Sequence, residues 1–344
     1  MKELTQLIEE SATRLFESFS TEDAYQTLES GKFPQQLWTD FLADGWLKTT
    51  LAEEKDGAGL GLAGGCVLMR LAGYHAVPLP IQESLMAVYL AAESGIEVND
   101  DLLVTAIISQ PIDDESELVL TNIPWARHAA GVLMIFPVAN ETHAVVIKRA
   151  DLNISNHHNM AGEPRDDVTI NTAQLIAGNK LNGISIERVN SWMALGRAAQ
   201  ISGALRSVLE RTVNYANERS QFGRQIGKFQ ALQQQLAVQA EMTSASICAV
   251  DAAIGHLDSE QEWELIACAK VTASESAGYA AKTAHAVHAA IGFTQEYPLQ
   301  LCTRRLWSWR DEYGNEAQWS AKLGRHCMQL ENDNLWGWLT TQTG

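Results

Sequence analysis

The 344-residue chain is short of several things, and each shortage excludes a class of function. Basic residues are scarce: 25 Lys and Arg face 42 Asp and Glu, a formal net charge of −17. Such a surface repels phosphate backbones, and no basic run offsets it, the densest pair being Arg304-Arg305. Nucleic-acid binding is therefore not expected. No stretch of 18 apolar residues occurs, so no membrane span is expected. The opening residues Met1-Lys2-Glu3-Leu4 are polar and amphipathic, unlike a secretion signal. The five cysteines, Cys66, Cys248, Cys268, Cys302 and Cys327, are scattered and never spaced C-x-x-C. That usage fits a reducing cytoplasm, with the thiols packing as small apolar groups.

Hydrophobic residues make up 46% of the chain and charged ones 19%, the balance of a protein with large packed cores. Residues 1–105 read as helical. Leu4, Leu7, Ile8, Ala12 and Leu15 share one helical face, and a helix from Gln35 is expected to stop near Gly45. A glycine-rich turn over 56–61 leads into a helix through Val67 to Ala72, which Pro78 and Pro80 terminate. Residues 106–180 change character, with β-prone runs over 117–121, 132–137 and 143–147 separated by Asn, Asp and Gly. From 181 to 344 the helical period returns. Three long amphipathic stretches, 192–218, 229–257 and 271–290, indicate an antiparallel bundle. The expected fold is thus mainly α with a small β domain: helical domain, β domain, helical bundle.

Most candidate sites dissolve on inspection. Gly59-x-Gly61-x-x-Gly64 has the spacing of a dinucleotide fingerprint, but the charged run 53–56 precedes it where a buried strand is required. It reads as an inter-helix turn. His285 and His288 share a helical face, yet no Glu-x-x-His pair accompanies them, so packed histidines are expected and no metal. Trp307, Trp309, Trp319, Trp336 and Trp338 crowd the C-terminal region and read as core and interface packing, with a substrate wall as the alternative.

One segment carries chemistry. From Tyr215 to Gln233 a helix ends near Arg219, Gly223 makes a turn, Gly227 relaxes the loop and a new helix begins at Phe229. Arg219 offers a fork of donors matched to phosphate oxygens. Gln221 and Gln230 add amides and Phe222 a flat face. Such a corner suits a nucleotide pyrophosphate, and an ordinary connecting loop is the alternative.

The run Arg219-x-Gln221-Phe222-Gly223, then Ile226-Gly227-x-Phe229-Gln230, resembles the C-terminal signature of the acyl-CoA dehydrogenase family. Two further stretches resemble it in order: Leu37-Trp38, Gly45-Trp46 and 56–61 near one end, and Ile291-Gly292-Phe293-Thr294-Gln295-Glu296-Tyr297-Pro298-Leu299 near the other. The resemblance implies three parts: an N-terminal helical domain (1–105), a reduced middle β domain (106–180) and a C-terminal four-helix bundle (181–344). It implies FAD-dependent α,β-dehydrogenation of an acyl-CoA thioester in fatty acid or steroid catabolism, with electrons passing to an electron-transfer flavoprotein. By it, Arg219, Gln221, Phe222 and Gly223 contact the FAD pyrophosphate of a neighbouring subunit and Gln230 its adenosine end, in a homo-oligomer or a heterotetramer with a related chain.

The sequence also departs from that family. The usual basic Glu-Gly-Thr triplet falls on Tyr313-Gly314-Asn315, and the alternative base position on Met193. Glu312 and Asp311 are the nearest acids and the candidate catalytic residues, while Tyr313 is a poor base at neutral pH. The flavin-lining Thr-Glu-Pro-Gly-x-Gly-Ser segment is represented by Ser109-Gln110-Pro111-Ile112-Asp113, without glycine. An expected Gly-Gly pair is Ala289-Ala290, and an expected Gln is Ala286. A short chain without an obvious base resembles the base-lacking member of heterotetrameric acyl-CoA dehydrogenases. A non-catalytic scaffold on the same fold is the alternative, and different flavin chemistry stays open.

Overall fold

The computed structural model describes residues 2–19, 21–110, 112, 117–175, 178–330 and 335–341. The chain forms two compact units, residues 1–72 with 77–193, and residues 73–76 with 194–344.

The first unit opens with helices α1 (Lys2–Phe19), α2 (Glu22–Glu29) and α3 (Gln35–Ala43). On α1 the buried residues Ile8, Ala12, Phe16 and Phe19 recur at helical spacing, and Phe16 stacks on Phe41 of α3 with ring centroids 6.4 Å apart. Leu15 of the expected face is half-buried, and the side chains of Leu4 and Leu7 lie outside the described residues. Thr21 caps α2 by accepting the amide of Ala24. The α3 helix ends before Gly45, whose φ of +76° is a conformation other residues adopt at a cost.

A short turn over Glu53–Lys55 precedes α4 (Gly61–Tyr74). The Gly59–Gly64 run is therefore entered from a turn and not from a strand. Helix α5 (Ile81–Glu93) is buried on nearly every face, in keeping with its apolar run from Leu85 to Ala92.

Seven strands follow: β1 (Leu103–Ile107), β2 (Glu117–Pro124), β3 (Gly131–Val138), β4 (Glu141–Lys148), β5 (Asn153–Ser155), β6 (Arg165–Asn171) and β7 (Asn179–Lys180). They build a four-stranded sheet β1-β3-β4-β7 and a three-stranded sheet β2-β6-β5. Strand β1 runs parallel to β3, and β3 pairs with β4 in register from Gly131↔Lys148 to Val138↔Glu141. The β-prone runs over 117–121, 132–137 and 143–147 correspond to β2, β3 and β4. Strand β3 is buried from Gly131 to Phe136, so alternation is absent there and an unbroken apolar run marks the strand instead.

Helix α6 (Ile186–Glu218) leads into the second unit. It ends in a two-stranded hairpin, β8 (Ser220–Gln221) and β9 (Arg224–Gln225), followed by α7 (Gln230–Gly255) and α8 (Glu262–His288). The α7 and α8 helices pack along their lengths. Then come α9 (Leu299–Trp309), α10 (Glu316–Gln329) and the short α11 (Leu335–Thr341). The α10 start is a capping box: Asn315 Oδ1 accepts the Gln318 amide and Gln318 Oε1 accepts the Asn315 amide. Of the C-terminal tryptophans, Trp309 and Trp319 are buried as expected of packing residues. Trp307 is 39% exposed and Trp336 is 75% exposed, so neither is packed in the core of the single chain.

Among the described residues no helix is long and apolar enough to cross a membrane, and no group of three metal-ligating side chains occurs. All five cysteines are free thiols.

Candidate functional site

The Arg219 segment folds as a tight β-hairpin. Arg219 donates its amide to the Tyr215 carbonyl at 2.8 Å, completing the last turn of α6, and its own carbonyl accepts the Ile226 amide at 2.8 Å. Between those bonds Ser220 pairs with Gln225 and Gln221 with Arg224. Phe222 and Gly223 form the two-residue loop, both left-handed, with φ of +54° and +78°. Glycine meets that demand freely; phenylalanine does so against its preference. Phe222 is 92% exposed, an unusual placement for an aromatic ring in a strained conformation. Arg219, Gln221, Gly223 and Gln230 are exposed as well.

The hairpin's root is apolar. Ala216, Ile226 and Val287 are buried together, with Tyr215, Phe229, Leu232 and Leu236 packed on them. Arg224 lies over the Phe229 ring at 4.1 Å, and Phe222 meets the same ring edge-on at 6.3 Å. Gln233 donates to the Gly227 carbonyl at 3.0 Å. A methyl at Gly227 would come within 3.0 Å of the Ala216 carbonyl, so the loop hugs the end of α6. The result is an outward platform with a guanidinium, two amides and a flat apolar face, a donor set suited to a phosphate-bearing, ring-containing ligand.

The candidate bases stand on a different turn, between α9 and α10. Asp311 is exposed. Glu312 Oε2 lies 2.6 Å from Arg197 Nη2, whose side chain is 1% exposed. Arg197 also donates to Gln200 Oε1. Its guanidinium faces the rings of Trp309 and Tyr313 at 5.5 and 5.7 Å. Lys270, fully buried on α8, donates to Ser274 Oγ at 3.0 Å and to the Arg310 carbonyl at 2.7 Å. Burial pulls its ammonium down to about 7, against the attraction of Glu312 and with repulsion from Arg197. Arg310 closes onto Glu316. Glu312 is thus one member of a buried charge cluster that pins this turn to α6 and α8.

The histidine pair is packed, as the sequence suggested. His285 Nε2 lies 2.9 Å from Thr303 Oγ1 and its ring stacks on Phe293 at 4.1 Å. His288 Nδ1 lies 2.8 Å from the Ala284 carbonyl and Nε2 3.2 Å from the Tyr297 hydroxyl. Burial holds both rings below the usual histidine range.

The C-terminal domain model of acyl-CoA dehydrogenases matches residues 185–310, a span that contains the hairpin and both long helices after it. Acyl-CoA dehydrogenase IpdE2 of Mycolicibacterium smegmatis is 25% identical over 313 residues, covering 89% of this chain and 93% of that protein. Residues 185–310 thus match the acyl-CoA dehydrogenase C-terminal domain, and the chain is similar to acyl-CoA dehydrogenases, which are oxidoreductases. Among solved structures, the ChsE4–ChsE5 complex from Mycobacterium tuberculosis is similar with a TM-score of 0.85 at 18% identity, covering 95% of this chain and 98% of that one. A variant of the Tcur3481–Tcur3483 steroid ACAD gives a TM-score of 0.84 at 22% identity, covering 94% and 97%.

The positions at which this acyl-CoA dehydrogenase-like chain departs from the expected motifs have distinct local structures. Tyr313, on the expected base position, is left-handed (φ +56°), as is Gly314 (φ +93°), and the Tyr313 carbonyl accepts the Trp319 indole at 3.0 Å. Met193, on the alternative base position, is buried and its carbonyl accepts Gln82 Nε2 at 2.9 Å. Ala289 has φ +53° and ψ −139°, a conformation natural to glycine and strained for alanine. In the first unit, Ser109 and Ile112 border a cleft of about 580 Å3 with Phe136, Val138, His143 and Leu175. Pro111 and Asp113 lie outside the described residues. The Arg197 cluster escaped the sequence reading, because Arg197, Lys270 and Glu312 are far apart in sequence and share no motif; a lysine amid the apolar positions of α8 was the available signal.

Proposed function

We propose that the chain acts in FAD-dependent α,β-dehydrogenation of an acyl-CoA thioester as one subunit of an oligomer, completing a flavin site with its hairpin while a related partner chain supplies the catalytic base. The observation that carries this is the outward hairpin: Arg219, Gln221 and a 92%-exposed Phe222 stand on a rigid apolar root within the family's C-terminal domain. Exposed aromatic and guanidinium groups on a strained turn cost stability unless a ligand or partner covers them.

The residues present fit the cofactor at this point. The Arg219 guanidinium would hold pyrophosphate oxygens, Gln221 and Gln230 would add amide contacts, and the Gly223 backbone leaves room for close approach. When bound, the flavin supplies a two-electron acceptor for hydride from the β-carbon of the thioester. The protein's own tasks are to orient the cofactor and exclude water. Removal of the α-proton requires a carboxylate beside the reacting carbon. Glu312, expected to serve if this chain has its own base, is paired with Arg197 at 2.6 Å. Such a pair favours an anchoring role, and Asp311 is exposed to solvent. The partner reading also agrees with the likeness to a solved complex of ChsE4 with ChsE5. Electron transfer to an electron-transfer flavoprotein and a cytoplasmic location, suited to five free thiols, complete the proposal.

Ala289 favours a second reading, a scaffold subunit without flavin, because its methyl stands where the family motif would leave bare backbone. An absorbance spectrum separates the two. The proposal expects little flavin absorbance from the chain alone and a flavin spectrum when it is co-purified with a related acyl-CoA dehydrogenase chain, lost on Arg219→Ala. A colourless protein in both preparations supports the scaffold. A yellow, active chain without any partner overturns the partner reading.

A further inference from the structure

The hairpin that carries Arg219 is exposed from Arg219 to Gln225 and packed at its root, so the root decides where its side chains point. Tyr215 is central there. Its carbonyl takes the Arg219 amide at 2.8 Å, and its ring lies flat on the ring of His288, with centroids 4.3 Å apart and planes at 25°. Tyr297 approaches the same histidine with its centroid at 5.0 Å and meets Tyr215 edge-on at 6.2 Å.

His288 is held at both edges. Nδ1 faces the Ala284 carbonyl at 2.8 Å, an acceptor, so Nδ1 carries the hydrogen. Nε2 is then the acceptor for the Tyr297 hydroxyl at 3.2 Å. An aliphatic side chain would fill this space without offering Tyr215 a flat face. Two hydrogen bonds on opposite ring edges do fix the plane, and the stacked Tyr215 ring must follow it. The chain also returns tightly over this point: a methyl on Gly292 would stand 3.0 Å from His288 Cβ and 3.2 Å from His285 Nδ1. Neighbouring Val287 is buried with Ala216 and Ile226 at the same root.

We infer that His288 is a positioning residue for the hairpin: through its stack on Tyr215 it sets the direction in which Arg219 and Phe222 are presented to a ligand. The purpose of that positioning rests on the flavin reading above; the positioning itself does not.

Hydrogen exchange of the full chain, without flavin, tests it. His288→Ala should speed exchange of the amides from Ser220 to Ile226 by about tenfold, while the middle of α7 stays unchanged. His288→Phe keeps a ring on Tyr215 but loses both hydrogen bonds, so it should restore those amides in part, to an exchange rate between those of wild type and His288→Ala. Unchanged hairpin exchange in His288→Ala overturns the inference. So does a uniform rise across the bundle that His288→Phe fails to reverse, since that marks a merely structural residue. Should His288→Ala not fold, Tyr215→Leu removes the other half of the stack; selective loosening of the hairpin supports the inference and unchanged exchange overturns it. An FAD titration of the co-purified assembly then runs separately. Loosened exchange together with no flavin binding in any variant retires the flavin reading and leaves the positioning role standing.

Discussion

Arg197 Nη2 and Glu312 Oε2 are 2.6 Å apart, with the arginine side chain 1% exposed and the glutamate 19%. Removing one partner of a buried pair leaves an uncompensated charge, the costly half of such interactions. Glu312→Gln should therefore lower stability by on the order of 2–3 kcal/mol, short of the full value because Gln200 and two aromatic rings still face the guanidinium. Urea unfolding measures the loss. Turnover of the assembled enzyme, per folded molecule, should stay within about twofold of wild type, since no transition-state interaction is removed. A loss of several hundredfold at unchanged stability would restore Glu312 as the base.

Lys270 gives a pH signature to the same cluster. Its folded value is about 7 against 10.5 in the unfolded chain. Between those values the unfolded chain holds a proton that the folded chain has released. Stability therefore rises with pH across that window, and the full penalty applies below pH 7. Lys270→Met cannot show this slope. The stability of the variant relative to wild type should be greatest near pH 6–7 and shrink steadily toward pH 9. Urea midpoints at three pH values suffice, and parallel profiles would count against a depressed Lys270.

What could be read in the sequence was whatever lay within one element or one short loop. The three long helical stretches, the β-prone runs and the corner after Arg219 all declare themselves through local spacing. The α6 helix ends at Glu218 and α7 begins at Gln230, each within a residue or two of the expected places. The hairpin pairing was less visible, because two-residue strands carry no alternation and Phe222 is not a usual turn residue. Strands β1 and β5 to β7 were not anticipated: residues 103–105 lay in the stretch read as helical, β5 and β7 are three and two residues long, and β6 opens on the charged run Arg165–Asp167. The Arg197, Lys270 and Glu312 cluster joins two helices and the turn between α9 and α10, so no window of sequence contains it.

Phe222 ties strain to purpose. In a two-residue hairpin both loop positions take positive φ, and Asn-Gly is favoured over Phe-Gly. Phe222→Asn should stabilise the isolated chain by roughly 0.5–1 kcal/mol. The same change removes the exposed flat face, so flavin retention in the co-purified assembly should fall about tenfold or more. Opposite signs in the two measurements identify a residue kept for binding. A variant that is both more stable and equally yellow would make Phe222 an incidental surface residue.

Ala289 poses the complementary test. At φ +53° and ψ −139° an alanine pays for its β-carbon, on the order of 1 kcal/mol or somewhat more. Ala289→Gly should relieve that strain and raise the thermal midpoint by a few degrees. The methyl also limits how near a ligand approaches the turn after α8. If the hairpin completes a flavin site whose adenosine end reaches this turn, Ala289→Gly should also tighten flavin retention in the assembly. The stability gain alone, with retention unchanged, would place the adenosine elsewhere and leave Arg219, Gln221 and Phe222 as the whole of this chain's contribution.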